Sequence, residues 1–299
     1  MSTKQFNYEN RLLVFDLSNI IFRSYFSQNN YDLVNNKGCR VNLIFNSLNR
    51  ISQIYRLFPS KYVLIACDSG TNFRKEKYLS TYKTNRKPKE KEMLQQIPIL
   101  KVILQANGFM LWEQDNFEAD DIIASTVKDL HLKNIASIII SSDKDLMQLV
   151  DDKKNISFFN LHNNTLYKEQ QVKEHFDVPA NLLNDYLCLL GDSCDNIEGI
   201  KGWGKKTSAK YLNKFGGLKN LYEFCKNLTK EQASIKDYKK FIILKNNLSV
   251  LKRNKILVSL VDNLIYEKSF VLNKPYLKIL EKIEQKFQLN FKVLINNTL

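Results

Sequence analysis

The chain has 299 residues, of which 44% are hydrophobic and 25% are charged, a composition that predicts a packed globular protein rather than a disordered one. It shows no apolar leader, no apolar run long enough to span a bilayer and no C-x-x-C pair among its 5 cysteines, so we expect neither secretion nor a membrane anchor, zinc site or disulfide framework. The 45 Lys and Arg exceed the 31 Asp and Glu by 14, and this surplus favours a polyanionic partner, most commonly nucleic acid.

The first half of the chain alternates short apolar runs with helical patterns. We predict helices at Leu43–Phe58 and Glu118–Leu130, and strands at Leu12–Phe15, Tyr62–Cys67, Phe109–Trp112, Ser137–Ile140 and Ile156–Asn160. This alternation predicts an α/β fold with a mainly parallel central sheet and helices on both faces. After Pro179 helical patterns dominate, so we place a boundary near residue 180, between an α/β region (1–180) and a helical region (181–299).

Acidic residues recur just beyond the predicted strand ends and at one helix start. They are Asp16, Asp68, Asp143 and Asp145 after strands, and Glu118, Asp120 and Asp121 at the helix start. The carboxyl ends of parallel strands meet at one edge of a sheet, where mutual repulsion of the acids requires compensation. Oxygen donors without His or Cys suit Mg²⁺ or Mn²⁺. Any one of these acids alone would more often be a helix cap or a solvated turn.

A basic segment interleaved with aromatic residues, residues 73–89, lies between the second and third predicted strands. Its cations can meet backbone phosphates, and its tyrosines can stack on unpaired bases. Because the segment follows Asp68, Lys83 and Arg86 are placed to reach a phosphate held at the acidic edge. The alternative is a solvated helix face, which charge runs usually are.

Closely spaced glycines mark a second turn, residues 199–209. Gly199, Gly202 and Gly204 would let the backbone approach another chain without side-chain obstruction. The helix predicted to begin near Lys206 would present free N–H groups to an anion. This combination predicts a reader of the phosphate backbone that is independent of base sequence. An ordinary tight turn is the alternative.

Together these segments resemble the 5′-3′ exonuclease and flap endonuclease family, which includes bacteriophage 5′ nucleases and the N-terminal nuclease domain of bacterial DNA polymerase I. The matching segments run in order along residues 12–220: Phe15–Asn19 with Arg23, Cys67–Asp68 through Phe73–Arg74, Tyr82–Arg86, Glu118–Asp121, Ser142–Asp145 and Gly191–Ile197. The resemblance implies a PIN-like 5′ nuclease fold. It also implies an arch or gateway at about residues 73–105, and a helix-three-turn-helix around the glycine turn.

The resemblance assigns a role to each matching residue. It implies that Lys83 and Arg86 are catalytic and engage the scissile phosphate. The implied metal ligands fall into an inner group, Asp16, Asp68, Glu118 and Asp120, and a second group, Asp121, Asp143, Asp145, Asp192 and Asp195. The implied DNA-binding residues are Arg23, Arg74, Tyr82, Gly199, Gly202, Gly204, Lys205, Lys206 and Thr207.

Four residues depart from the family pattern: Leu17, Cys194, Glu198 and Trp203. None of them removes a carboxylate, so the resemblance still implies catalysis. Trp203 replaces a small aliphatic residue, and we expect it to be a core anchor rather than an exposed DNA contact.

The resemblance implies a metal-dependent 5′-3′ exonuclease and structure-specific flap endonuclease that serves replication or repair by removing primers or flaps. The expected cofactors are two or more Mg²⁺ or Mn²⁺ ions, with K⁺ at the helix-three-turn-helix. The expected partner is DNA with a 5′ single-stranded flap or a free 5′ end. We expect a monomer in the cytoplasm, or in another compartment that holds DNA. Two alternatives remain open: an RNA nuclease on a related fold, and a DNA-binding protein that has lost the chemistry.

Overall fold

The computed structural model describes residues 11–27, 32–265 and 270–287. Short 3-10 turns at residues 144–149, 193–195 and 230–232 lie between the longer elements. Those elements are β1 (Arg11–Asp16), α1 (Leu17–Tyr25), α2 (Asn42–Leu57), β2 (Tyr62–Cys67), α3 (Phe73–Lys77), α4 (Lys91–Ala106), β3 (Met110–Glu113), α5 (Ala119–Leu132), β4 (Ala136–Ser141), β5 (Ile156–Asn160), β6 (Thr165–Tyr167), α6 (Glu169–Phe176), α7 (Ala180–Leu190), β7 (Gly191–Asp192), β8 (Ile197–Glu198), α8 (Lys205–Phe215), α9 (Leu218–Lys226), α10 (Ile235–Asn246), α11 (Leu248–Val258) and α12 (Leu277–Phe287).

The central sheet has six strands in the order β3-β2-β1-β4-β5-β6. The first five strands of this order are parallel, and β6 pairs antiparallel with β5 at the edge. The predicted mainly parallel sheet is therefore confirmed, and the five predicted strands agree with the structure to within one residue at each end. The three-residue strand β6 was not predicted, because so short an edge strand leaves too little periodicity to detect.

Side chains alternate between the two faces of the sheet, and helices cover both. Leu12 and Val14 of β1 join a core formed with α5 and α7, whereas Leu13 and Phe15 join a core formed with α1, α2 and α4. All four of these β1 side chains are fully buried, as expected for a parallel strand between two helical layers. The prediction of helices on both faces is confirmed.

Helices α7 to α11 pack on the face that carries Leu12 and Val14, so one core crosses the predicted boundary. The boundary near residue 180 stays a prediction. The chain then returns to the other face, where Leu272 donates its N–H to the carbonyl of Lys61 at 2.7 Å and α12 packs against α4. Within the described ranges, no helix is long and apolar enough to cross a membrane.

Candidate active site

The carboxyl end of β1 places Asp16 at the centre of an acidic edge. Asp16 caps α1: one carboxylate oxygen accepts the N–H of Asn19 at 3.0 Å, and the other accepts the Ser141 hydroxyl of β4 at 2.7 Å. Burial raises the pKa of Asp16 to about 7, and repulsion from Asp68 and Asp143 adds to this rise. This carboxylate is therefore costly to ionise while the acids lack a counterion.

Asp68 follows the neighbouring strand β2 and faces the start of α5. Its carboxylate accepts the N–H of Ala119 at 2.7 Å and the hydroxyl of Ser18 at 2.5 Å. At the same helix start, burial raises the pKa of Asp120 well above its usual value, and Asp143 and Asp16 raise it further. The predicted convergence of acids from β1, β2 and α5 at one sheet edge is thus present.

Asp143 and Asp145 follow β4 and complete the buried part of this edge. The carboxylate of Asp143 accepts the N–H of Asp145 at 2.9 Å, and burial raises its pKa. Burial also raises the pKa of Asp145, with repulsion from Asp143, to about 8. One carboxylate oxygen of Asp145 is buried without a hydrogen-bond partner among the described residues. An unpaired buried oxygen of this kind is costly unless a cation or a donor compensates it.

Asp121, which was also predicted to bind a metal ion, has protein donors on both of its carboxylate oxygens. Its side chain is fully buried, and Arg74 donates to both of these oxygens, at 2.6 and 2.7 Å. The backbone N–H groups of Glu118 and Val261 donate to the same oxygens, at 3.2 and 2.8 Å. These contacts stabilise the start of α5 and its packing, and the role of Asp121 as a metal ligand stays a prediction.

Arg74 and Tyr82, which were predicted to contact DNA, are both buried beside Glu118. Arg74 is only 2% exposed, and besides Asp121 it donates to Glu118 and to the carbonyl of Ser259. Tyr82 is 3% exposed, and its hydroxyl donates to Glu118 at 3.1 Å. Both side chains therefore hold Glu118 in place, and their contact with DNA stays a prediction.

Lys83 and Arg86 lie beside the acids, in the turn between α3 and α4. This turn is part of the predicted gateway segment (about residues 73–105). Lys83 forms an ion pair with Glu118 and lies 3.7 Å from Asp195, while Arg86 pairs with Asp195. Burial opposes the charge on Lys83, but Glu118 and Asp195 outweigh it and raise its pKa. Both cations are consequently charged and adjacent to the acidic edge.

Asp192 and Asp195 reach the site from the helical region. They lie in the hairpin formed by β7, β8 and the turn between them (residues 191–198), hereafter the site hairpin. Asp192 lies 3.2 Å from the Lys144 ammonium, and the carbonyl of Asp195 accepts the N–H of Lys83 at 3.1 Å. The two regions thus meet at the carboxylates, as the sequence predicts.

The glycine turn exposes part of its predicted surface. Gly202, Gly204, Lys205 and Lys206 are exposed, Thr207 is half-buried, and α8 begins after Gly204 with no side-chain cap. At Gly199 a Cβ would lie 2.0 Å from the carbonyl oxygen of Leu190, so the absence of a side chain allows the chain to cross the end of α7. Gly199 is half-buried, and its contact with DNA stays a prediction.

Trp203 is 1% exposed, which confirms the predicted core anchor. Its ring lies 5.6 Å from that of Tyr211 and 6.3 Å from that of Phe241, and its indole N–H donates to the carbonyl of Lys240. The departure from the family pattern at this position therefore fills the interior behind the turn.

Arg23 is exposed and lines an open groove of about 740 Å³ between α1, α2 and residues 161–164. Arg50 lines the same groove, and burial together with the charge of Arg23 lowers the pKa of Arg50. Among the groove's described lining residues there is no acid. Sequence analysis missed Arg50, since a single arginine on an amphipathic helix gives no distinctive pattern.

Two hydroxyl partners of the acids were also missed. Ser18 and Ser141 donate to Asp68 and Asp16, and only their proximity to the acids along the chain, in Asp16-Leu17-Ser18 and Ser141-Ser142-Asp143, hints at this role. Serine is too common in turns for that proximity to have been decisive.

The donor set fits a divalent cation. In the part of the chain that the structure describes, no three His, Cys or acidic side chains are spaced to enclose a metal ion. Several of the carboxylates instead turn toward protein cations, as Glu118 does toward Lys83 and Asp192 toward Lys144. The pKa values of Asp16, Asp120, Asp143 and Asp145 are nevertheless raised, because the nearby lysines and hydrogen-bond donors offset burial and mutual repulsion only in part, and one oxygen of Asp145 has no donor among the described residues.

Comparison with known proteins agrees with this arrangement. Residues 11–177 match the family model of the 5′-3′ exonuclease N-terminal resolvase-like domain, and residues 178–269 match that of the 5′-3′ exonuclease C-terminal SAM fold. A 5′-3′ exonuclease of Aquifex aeolicus is 31% identical over 278 residues, which cover 93% of this chain and 91% of that protein. DNA polymerase I of Caldicellulosiruptor bescii is 34% identical over 232 residues, 76% of this chain but only 27% of the polymerase. The chain thus spans about a quarter of the length of that relative.

Solved structures share the fold. A bacteriophage T5 flap endonuclease in complex with DNA and metal ions has a TM-score of 0.68 at 24% identity, covering 92% of this chain and 100% of that one. The catalytic core of Rad2 in complex with a DNA substrate has a TM-score of 0.64 at 18% identity, covering 97% and 93%. At these identities the comparison establishes the architecture alone.

Proposed function

Because the chain belongs to the 5′-3′ exonuclease family, we propose that it is a divalent-metal-dependent 5′ nuclease that hydrolyses phosphodiester bonds near the 5′ end of branched DNA. One observation carries the proposal: the buried carboxylates of Asp120 and Asp143, whose pKa values are raised by burial, lie close enough to Lys83 for its charge to oppose that rise, and Lys83 and Arg86 pair with the neighbouring acids Glu118 and Asp195. Cations above acids suit a reaction in which metal ions and basic side chains share one phosphate.

The ligand set that we propose keeps eight of the nine predicted acids and omits Asp121, whose oxygens already have donors. The set is Asp16, Asp68, Glu118, Asp120, Asp143, Asp145, Asp192 and Asp195. Oxygen ligands of this kind suit two or more Mg²⁺ or Mn²⁺ ions. Bound there, the ions would supply a water of lowered pKa and would stabilise the leaving oxygen.

Lys83 and Arg86 have a role that follows from their present partners. Each is held over the site by a carboxylate, Glu118 or Asp195, that we assign to metal binding. When metal ions take up those oxygens, the two cations become free to donate to the phosphate that enters the site. There they would stabilise negative charge as it develops in the transition state.

DNA would be held at two further places. The exposed Gly202, Gly204, Lys205 and Lys206 at the start of α8 offer backbone N–H groups and positive charge to a duplex. We also propose that K⁺ binds at this turn, and the support for this is the family resemblance. The acid-free groove that contains Arg23 suits a second stretch of phosphate backbone.

We further propose that the substrate is DNA with a 5′ flap or a free 5′ end, bound by a monomer during replication or repair in the cytoplasm or another DNA-containing compartment. Removal of primers or flaps would follow from this specificity. The support is the flap endonuclease and DNA-bound structures among the structural neighbours.

Cleavage of a 5′-labelled flap DNA with Mg²⁺ tests the proposal. Lys83→Ala and Asp68→Ala should each reduce the rate by a factor of about 100 to 1,000. Lys133→Ala removes an equal charge from an exposed pair with Asp129 and should leave the rate unchanged. Retention of full activity by both site variants would reject the assignment.

The same assay separates the alternatives. A nuclease should lose activity in EDTA and regain it with Mg²⁺, whereas a DNA-binding protein without chemistry would bind the flap and leave it intact. Faster cleavage of an RNA flap than of a DNA flap would favour the RNA nuclease. Product lengths distinguish structure-specific cutting from stepwise degradation.

A further inference from the structure

The site hairpin is too small to hold its own position. β7 and β8 contribute two residues each, and only the pairs Gly191–Glu198 and Asp192–Ile197 join them. An isolated hairpin of this size is unstable in water. One of its sides also faces an open cavity of about 650 Å³, so packing there is incomplete. The hairpin must be fixed by contacts from elsewhere.

On the side toward the gateway, the hairpin is bonded to residues 81–86. Asn85 donates to the carbonyl of Ser193 at 2.6 Å, and Asn196 donates to the carbonyl of Thr81 at 3.0 Å. These bonds join two elements that we expect to rearrange when DNA and metal ions enter. They therefore do not provide a permanent anchor.

An anchor that does not involve residues 81–86 comes from Asn254 in α11, in addition to the burial of Ile197 in the core. Its side chain is fully buried, and its amide donates to the carbonyls of Glu198 in the hairpin, at 2.7 Å, and Cys188 in α7, at 3.1 Å. Its own carbonyl oxygen accepts from the Arg253 guanidinium at 3.2 Å. A buried amide in a helix gains little stability over an apolar residue, so this fully bonded asparagine points to a role in positioning.

We propose that Asn254 is a positioning residue for the metal site: it fastens the site hairpin to α7 and α11 and thereby holds Asp192 and Asp195 at the carboxylate edge. The inference rests on the proposed function, because it assumes that these two acids bind metal ions. Asn254 touches neither substrate nor metal and acts through the backbone of the hairpin.

The test compares Asn254→Ala with Asn42→Ala. Asn42 is a matched control: it is equally buried, its amide donates to the carbonyl of Tyr25 at 3.0 Å, and it lies on the opposite face of the sheet. Amide hydrogen exchange of residues 191–198 in the metal-free protein reports the position of the hairpin. Calorimetric titration of Mg²⁺ and Mn²⁺ without DNA reports metal binding independently of activity.

For Asn254→Ala we expect faster exchange in residues 191–198 and metal affinity reduced by roughly tenfold or more, in the range seen when partners of metal ligands are removed. Asn42→Ala should lose stability while keeping both properties. In an Asp192→Ala background the effect of Asn254→Ala on metal binding should shrink, since one of the acids through which it acts is gone. If Asn254→Ala does not fold, Asn254→Ser, which retains one donor, replaces it in every measurement.

Wild-type exchange and wild-type metal affinity in the Asn254 variants would overturn the inference, whatever their stability. An equal loss of metal affinity in Asn42→Ala would also overturn it, because the effect would then be general destabilisation. Failure of the proposed function looks different: the unmodified protein itself would neither bind Mg²⁺ nor cleave flap DNA.

Discussion

Replacing Asp145 with asparagine tests whether the buried acids form a cation site or a set of structural caps. Burial and repulsion from Asp143 raise the pKa of Asp145 from 3.8 to about 8 in the metal-free protein. The folded state therefore binds a proton more tightly than the unfolded state. The associated stability is complete below about pH 4 and is lost as the pH rises through about 8. At about 1.4 kcal/mol per pKa unit, ionised Asp145 costs up to roughly 6 kcal/mol at pH 9.

Asp145→Asn keeps the shape of the side chain and removes this charge. The amide leaves a buried polar group incompletely paired, which costs about 1–3 kcal/mol, so the metal-free variant should be more stable than the wild type by about 3–5 kcal/mol at pH 9. At pH 5 the wild-type carboxyl is already protonated, and the gain should vanish. Mg²⁺ should stabilise the wild type strongly at pH 9 and the variant only weakly.

Urea unfolding at pH 5 and pH 9, with EDTA or with Mg²⁺, measures all four conditions. Asp129→Asn, in an exposed ion pair with Lys133, is the control and should change little at either pH. If Asp145→Asn destabilises the protein at both pH values and leaves the response to Mg²⁺ unchanged, Asp145 is a structural cap and the electrostatic reasoning is wrong.

Three further predictions concern Arg74 and Trp203, which are buried, and Gly108, which lies against the backbone of another segment. Arg74→Ala should cost about 3–5 kcal/mol of unfolding free energy, because it leaves Asp121 buried and unpaired; a double variant with Asp121→Ala should cost less than the sum, and simple additivity would contradict the ion pair. Gly108→Ala should destabilise more than Gly70→Ala, because both glycines have a positive φ, +87° and +85°, but only at Gly108 would the new Cβ lie 1.9 Å from the backbone of the C-terminal segment. Trp203→Ala should cost about 3–5 kcal/mol in urea unfolding; weakened DNA binding at unchanged stability would instead make Trp203 a DNA contact.

The acidic edge could be predicted from the sequence because its geometry is nearly local. Asp16 is the last residue of β1, and Asp68 directly follows β2. Both strands are apolar runs of a parallel sheet, and the register of that sheet brings their carboxyl ends together. Asp192 and Asp195 are harder, since no periodicity connects them to the sheet. They were assigned only through the family resemblance.

The burial of Arg74, Asp121 and Tyr82 could not be predicted, for one physical reason. Each lies within a motif that matches the family, but its role depends on partners that are remote in sequence. The carbonyl of Ser259 and the N–H of Val261, which complete the ion pair of Arg74 with Asp121, lie about 140 residues or more beyond these residues. No pattern around position 74 or 121 reveals such a contact, so a buried ion pair and an exposed functional residue look alike in the sequence.

The structure also changes how the predicted acids should be grouped. The sequence suggested two groups that serve two metal ions, whereas the side chains divide by what compensates them. Glu118, Asp192 and Asp195 pair with protein cations, and Asp121 is fully satisfied by Arg74 and backbone donors. Asp145, by contrast, keeps an oxygen that no described donor reaches. Metal ions would have to displace Lys83 or Lys144 to reach the first group, whereas the unpaired oxygen of Asp145 has no protein donor to displace. We therefore expect metal binding to begin at the buried acids and to release the cations afterwards, at the point where a phosphate needs them.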